Sequence, residues 1–407
     1  MIVRVGKTYN INKIEGCSLE ISFSPPRSGS YELICCGNKK MEGIIYSGND
    51  KEVLHSNYNN SMYTLKFAKT LLYQCVYIVK INIIEVKSVQ THLSLRIEDI
   101  QEPTNSLFKY QWGILNKSNG LDINILPLWK YIKESNVNIG IADTGINYNH
   151  CNLNGYINSD LAYNFVTETK DIKRKYGTEY EHGTHAAGIV AAQPCNNCGI
   201  YGITENSNII SLKIFGESND SGIKVSDAFV SAVEYSLKHN IRIINCSFCG
   251  TTFSEKEKKI MEEAKDILFI IAAGNNSYNL DYKKVYPACY ELENGIVVAA
   301  MDREGKMYPT SNYGQCIDII APGENIVSLY GDDKFIKANG TSVAAPFVTG
   351  VCSLMLACRQ DLKPREIKKI ITSRKNVTPI EGITNCVISG GLLNAYKSYV
   401  SLMENCE

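Results

Sequence analysis

At 407 residues the chain is too long for one ordinary domain, and its 42 basic and 42 acidic side chains cancel, which excludes capture of nucleic acid or an anionic membrane by bulk charge. No stretch approaches the roughly 20 consecutive apolar residues that cross a bilayer, and Met1-Ile2-Val3-Arg4-Val5-Gly6-Lys7 lacks the apolar core of a signal peptide. With 15 cysteines in an odd, scattered pattern that builds no disulfide framework, these absences give the expectation of a cytoplasmic protein, secretion by another route being left open.

Residues 1–100 read as short strands split by Pro, Gly, Asn and Ser clusters. Ser18–Phe23, Ser30–Ile34, Met62–Phe67 and Val76–Ile81 each alternate apolar and polar side chains, so each has one face to bury. Several such runs in one stretch, with no helical period between them, predict a small all-β domain of sandwich type.

Beyond residue 100 the pattern changes to apolar runs alternating with helical stretches, the signature of an α/β domain with a mostly parallel sheet. Val137–Ala142 is a buried-strand run that ends at Asp143 and breaks at Thr144-Gly145. A carboxylate is thereby delivered at the C-terminal end of a strand, where open α/β sheets keep their sites. His182 opens a helical stretch in His182-Gly183-Thr184-His185-Ala186-Ala187-Gly188. Cys195-Asn196-Asn197-Cys198 is the one suggestive cysteine spacing, but a zinc site would need two further ligands nearby and a redox site a different fold context, so neither is expected. Phe269–Ala273 is a second buried run, closed by Gly274-Asn275. Finally Asn339-Gly340-Thr341-Ser342 precedes a helix expected over Val343–Ala357, with Pro346 near its start, where a missing N–H costs little.

Three of these residues make one chemical device. A serine hydroxyl is a weak nucleophile at neutral pH and must pass its proton to a base, for which His182 is the candidate beside Ser342. Asp143 would accept from the other ring nitrogen, fix the tautomer and stabilise the imidazolium. Taken singly, each residue is more simply a turn, a core histidine or a helix cap. Their joint occurrence in the order Asp, His, Ser, each at a strand or helix edge, favours the catalytic reading. His185 is expected to pack or make a local hydrogen bond, and His150 is an ordinary loop residue.

From about Glu102 to Leu393 the chain resembles the subtilisin family of serine peptidases in these motifs and in Tyr286-Pro287-Ala288, Ser311-Asn312-Tyr313-Gly314, Ala321-Pro322-Gly323 and Gly390-Gly391-Leu392-Leu393-Asn394. The resemblance implies a subtilisin-like three-layer fold over residues 101–407, preceded by the β-sandwich-like domain of residues 1–100. It also implies that Asn275 donates its amide to the oxyanion. Ser247, Phe248, Cys249, Gly250, Ala273 and Gly274 would line the primary specificity pocket, with Ser221 and Gly222 on an edge that pairs with extended substrate. Cys249 stands where the family commonly has glycine, so the pocket is reshaped and its preference is open. The Cys195–Cys198 loop matches one that often holds calcium, here through Asn196, but Asn152 replaces a carboxylate ligand, so calcium is the less favoured reading and no cofactor is required. The N-terminal strands distantly resemble β-sandwich modules found beside secreted peptidases and lack the helices of the family's inhibitory prodomain. A stabilising appendage, a substrate-docking module and a cover over the site, in intramolecular contact with the catalytic domain, are the readings left open for them.

The expected function is therefore serine endopeptidase action on an extended polypeptide through an acyl-enzyme on Ser342. A dedicated role on a precursor peptide is the narrower form, and a catalytically silent peptide-binding or regulatory protein of the same fold is the alternative. No nucleic acid or membrane partner is expected.

Overall fold

The computed structural model describes residues 2–11, 18–47, 50–59, 62–72, 75–84, 93–104, 107–153, 157–172, 181–195, 198–216 and 224–404. They fall into two compact units, Met1–Pro103 with Leu115–Gly120, and Thr104–Ile114 with Leu121–Asn405.

The N-terminal unit is built from β1 (Thr8–Ile11), β2 (Ser18–Phe23), β3 (Gly29–Gly37), β4 (Met41–Ser47), β5 (Asp50–Asn59), β6 (Met62–Leu71), β7 (Tyr77–Ile83) and β8 (Leu93–Asp99). All neighbours are antiparallel, in the order β1-β8-β3-β6-β5-β4-β7-β2. β5 pairs with β4 over Asp50–His55 and with β6 over Ser56–Asn59, so one strand passes from one leaf of the sandwich to the other. The period-2 pattern explains the packing. Tyr77, Val79, Ile81 and Ile83 of β7 and Leu93, Leu95 and Ile97 of β8 are buried on alternate positions, and both leaves share one core with Ile21, Leu33, Met41 and Leu65.

The larger unit is centred on a sheet of β9 (Asn138–Asp143), β10 (Tyr163–Asn164), β11 (Asn208–Lys213), β12 (Ile243–Cys246), β13 (Leu268–Ala272), β14 (Gly295–Met301), β15 (Ile319–Pro322), β18 (Thr378–Pro379) and β19 (Gly391–Leu392). A separate hairpin pairs β16 (Ile326–Tyr330) with β17 (Lys334–Ala338). The sheet order is β10-β11-β9-β12-β13-β14-β15-β19-β18, parallel throughout except for the β18/β19 pair. Helices α1 (Ile125–Trp129), α2 (His182–Ala191), α3 (Val225–Lys238), α4 (Glu255–Glu263), α5 (Thr341–Cys358), α6 (Pro364–Ile371) and α7 (Ala395–Glu404) flank it. From β9 the chain runs through α2 to β11 on one side, then through α3 to β12 on the other. β9 is thus a switch point of the topology, and a crevice opens at the carboxyl ends of strands at such a point. Asp143 is the last residue of β9.

α5 sets the position of the nucleophile. Of its first sixteen residues all but Ser342 are buried, because a helix apolar on every side must be enclosed. By length and a mean hydropathy of 1.7 it reaches the range of a membrane-crossing helix, which corrects the expectation that no segment comes close; 83% of it lies inside the unit, as a core helix does.

Candidate active site

Asp143 and His182 meet because β9 ends where α2 begins. The His182 Nδ1 lies 2.8 Å from Asp143 Oδ2 and 3.0 Å from Oδ1, while Asp143 Oδ1 accepts the Thr144 N–H at 2.7 Å. Asp143 is almost wholly buried, whereas the His182 side chain is 35% exposed. A carboxylate held this way cannot turn from the ring, and the ring keeps one side open. The start of α2 comes close only because residue 183 is glycine: a Cβ there would stand 2.4 Å from the Gly145 carbonyl oxygen. Thr144 Oγ1 then accepts the Gly183 N–H at 3.1 Å. The charge of Asp143 raises the His182 pKa above the ordinary histidine value, burial opposes the rise, and the hydrogen bond adds to it. With Nδ1 committed to Asp143, Nε2 is the nitrogen left to take a proton.

Ser342 lies inside the first turn of α5, which begins one residue before it, at Thr341, rather than after it. Pro346 is correspondingly not among the first four residues, whose N–H groups are free in any helix. Its missing N–H would have bonded the carbonyl of residue 342. That carbonyl is satisfied from outside the helix, by the Ser247 hydroxyl at 2.7 Å. Behind Ser247 runs a buried chain: Asn245 Nδ2 donates to Ser247 Oγ at 2.8 Å, and Thr349 Oγ1 donates to Asn245 Oδ1 at 2.8 Å. The end of β12 and the residue after it thereby fix the backbone of the nucleophile. Ser247 has been placed by sequence in the specificity pocket; its side chain instead faces inward, 4% exposed, and serves the Ser342 carbonyl.

Asn275 is exposed, following the end of β13. Its Oδ1 accepts the Thr341 N–H at 2.8 Å and the Thr341 hydroxyl at 3.1 Å, which fixes the amide's orientation and leaves Nδ2 as the donor. Gly340 makes that approach geometrically allowed, with φ +118° and a would-be Cβ only 2.9 Å from the Asn275 amide. Asn275 Nδ2 and the Ser342 N–H are thereby the candidate donors to negative charge developing on a carbonyl oxygen at a helix N-terminus. Asn275→Ala is expected to lower kcat about 10²–10³-fold, the scale known for this donor in subtilisin, with KM and the unfolding midpoint little changed. Steady-state kinetics beside a thermal melt check this.

The remaining pocket residues divide. Phe248 packs edge-on against Phe215 and Phe229, with ring centroids 5.5 and 5.3 Å away, and so forms a wall from within. Cys249 and Gly250 are exposed; Gly250 exchanges backbone hydrogen bonds with Tyr286 at 2.8 and 2.7 Å. The Cys249 sulfur lies against Gly274, 2.8 Å from where a Cβ would stand, so the thiol occupies room that glycine would leave open. Ala273 is fully buried and gives its carbonyl to Asn312 Nδ2 at 2.8 Å. Ser221, Gly222 and Asn196 lie outside the described residues. His185 is buried and bonds the Ile326 carbonyl at 3.1 Å, and burial lowers its pKa to about 4, which keeps it neutral. His150 lies in a loop, as expected, but is fully buried there, with Nε2 3.0 Å from the Lys334 carbonyl.

Sequence reasoning missed Asn312 and Thr341. Buried Asn312 accepts the Asn276 and Tyr278 N–H groups through Oδ1 at 3.1 and 2.8 Å, holding the loop that carries Asn275. Thr341 Oγ1 accepts the Gly274 N–H at 3.0 Å. Both sit inside segments quoted for their resemblance, Ser311-Asn312-Tyr313-Gly314 and Gly340-Thr341-Ser342, and that was the available signal.

The fold and the site are those of a subtilisin-like serine endopeptidase. Residues 134–385 match the profile of the subtilase family, and the chain belongs to that family. It is 30% identical over 299 residues to the thermophilic serine proteinase of Bacillus sp. (strain AK1), an alignment that covers 73% of this chain and 66% of the relative. To thermitase of Thermoactinomyces vulgaris it is 29% identical over 272 residues, 66% of this chain and 91% of thermitase. Among solved structures, a protease from Pseudoalteromonas arctica PAMC 21717 superimposes with a TM-score of 0.64 at 24% identity, over 74% of this chain and all of that one, which shows the shared fold.

Proposed function

We propose that the chain cuts extended polypeptides through an acyl-enzyme on Ser342, with a narrow choice of substrate of the kind a dedicated processing protease has. Ser342 Oγ attacks the scissile carbonyl carbon and passes its proton to His182 Nε2; the proton then goes to the departing amine as the C–N bond breaks. Water attacks the ester next, giving its proton to His182, and Ser342 Oγ leaves with that proton. The observation that carries this reading is the 2.8 Å Asp143–His182 bond on a ring with an open side, in a chain that also presents Ser342 as the unburied residue at the head of a buried helix. A silent relative of the fold has no requirement for this geometry together with Asn275.

The narrowness rests on Cys249, whose side chain takes up space beside Gly274. On this reading unfolded casein is cut slowly and at few sites, and Cys249→Gly speeds its hydrolysis by about tenfold, the value of about one methylene-sized difference in an apolar pocket. Mass spectrometry of the casein digest measures both. Rapid digestion to small peptides by the wild type would remove the processing role and leave the endopeptidase.

A further inference from the structure

A second chemical cluster stands away from Ser342, on the segment that follows Asp143. His150, Cys151 and Asp333 place a ring nitrogen, a sulfur and a carboxylate oxygen all within 4.8 Å of one another. Two of the three are adjacent in sequence, and the third comes from the turn between β16 and β17. His150 is fully buried and its Nε2 faces the Lys334 carbonyl at 3.0 Å, which makes Nε2 the protonated nitrogen and leaves Nδ1 as the acceptor. Metal-bound imidazoles are commonly held in this way, the far N–H given to a backbone carbonyl. Nδ1 accepts the Asn152 N–H at 3.2 Å and lies 4.0 Å from Asp333 Oδ1; that oxygen accepts the Cys151 N–H at 2.7 Å.

Further thiols are close. Cys195 and Cys198 exchange both backbone hydrogen bonds, at 2.9 and 2.8 Å, which puts their side chains on one face of a tight reversal. That reversal is tied to residue 152: Asn152 Oδ1 accepts the Ile200 N–H at 3.3 Å and Nδ2 reaches the Cys198 carbonyl at 3.5 Å. The same Nδ2 lies 3.8 Å from Cys151 Sγ, so one side chain touches both the cluster and the Cys195/Cys198 reversal.

We propose that this corner binds a zinc-class divalent cation through His150 Nδ1, Cys151 Sγ and Asp333, with a thiolate from the Cys195/Cys198 pair in the fourth position. The chemistry of the donors decides the class. Calcium takes six to eight oxygen ligands, whereas sulfur and imidazole suit a borderline-soft ion in a tetrahedral site. Here the side chain at 152 is an amide already spent on the loop's own backbone, so the hard oxygen a calcium ion would use is engaged. Binding exchanges the Asn152 contact for a metal–nitrogen bond and releases the two thiol protons to solvent. It pins the segment after Asp143 to the hairpin that precedes Ser342.

The test is metal uptake by the reduced, full-length chain, read independently of proteolysis. Apo protein titrated with Zn²⁺ against a chromophoric chelator is expected to take up one equivalent with proton release, and Co²⁺ in its place to give thiolate charge-transfer and tetrahedral d–d bands. Cys151→Ser and Asp333→Asn each weaken binding by at least about tenfold, while Cys75→Ser in the N-terminal unit leaves it unchanged. Saturating zinc raises Tm by on the order of 5 °C in the wild type and not in Cys151→Ser. Absence of uptake by the reduced wild type, equal uptake by Cys151→Ser, or displacement of zinc by a modest excess of calcium would overturn the proposal.

Discussion

Ser342→Ala is expected to lower kcat on a peptide substrate by about 10⁶-fold, the size found when the same member of the triad is removed from subtilisin. The loss is that large because Ser342 and His182 act as one unit: without the hydroxyl no acyl-enzyme forms, and His182 has no proton to take. His182→Ala should cost about as much, and the double variant hardly more, a non-additivity that independent contributions would not produce. Substrate binding should survive, since the Phe248 wall and the Gly250–Tyr286 pairing do not depend on the hydroxyl. The fold should survive also, because Ser342 is the one residue of the α5 head that is not buried. Progress curves with a chromogenic peptide, together with an unchanged melt, measure these effects.

Asp143→Asn is the second large effect, about 10⁴-fold in kcat on the precedent of the same change in a serine protease of another fold. Asn keeps the shape but cannot hold the ring with its Nδ1–H toward residue 143, so Nε2 is no longer reliably the basic nitrogen. The pH profile separates this from damage to the fold. The base must be neutral, so the wild-type rate climbs as pH rises through the His182 pKa, which the Asp143 charge holds above the ordinary 6.5. Removing that charge leaves burial as the remaining influence, and burial disfavours the imidazolium. The rising limb of kcat/KM should therefore move to lower pH in Asp143→Asn even as the plateau falls. A limb that stays in place would mean that His182 is not the titrating base.

The sequence made the catalytic parts legible because each is a local event. An apolar run stopping at Asp143, a helix opening at His182 and a Gly-Asn after a buried run can all be read within ten residues. What holds those parts is not local. Ser247 serves the carbonyl of a residue 95 positions away, Asn312 holds the Asn276 N–H from 36 positions away, and Thr341 braces Asn275 from 66. Such bonds exist only once β12, β13 and α5 lie side by side. The role of Pro346 shows the same limit. As a helix residue it looks harmless, and only the fold shows that its missing N–H frees a carbonyl for Ser247. Cys151 and Asp333 likewise meet across 182 positions, a proximity that no local spacing announces. In the N-terminal unit, period-2 alternation marks β2, β3, β6 and β7, but the passage of β5 between leaves follows from pairing, which no single strand's pattern encodes.

The central claim is that Ser342 is an activated nucleophile. Labelling with a fluorophosphonate probe followed by peptide mapping tests it most directly, because the probe reacts with a serine only when a base and an oxyanion site act on it. One phosphonylated peptide is expected, modified at Ser342, formed faster as pH rises through the His182 pKa and missing from Ser342→Ala. Equal labelling of the wild type and Ser342→Ala, or none in a correctly folded wild type, would contradict it.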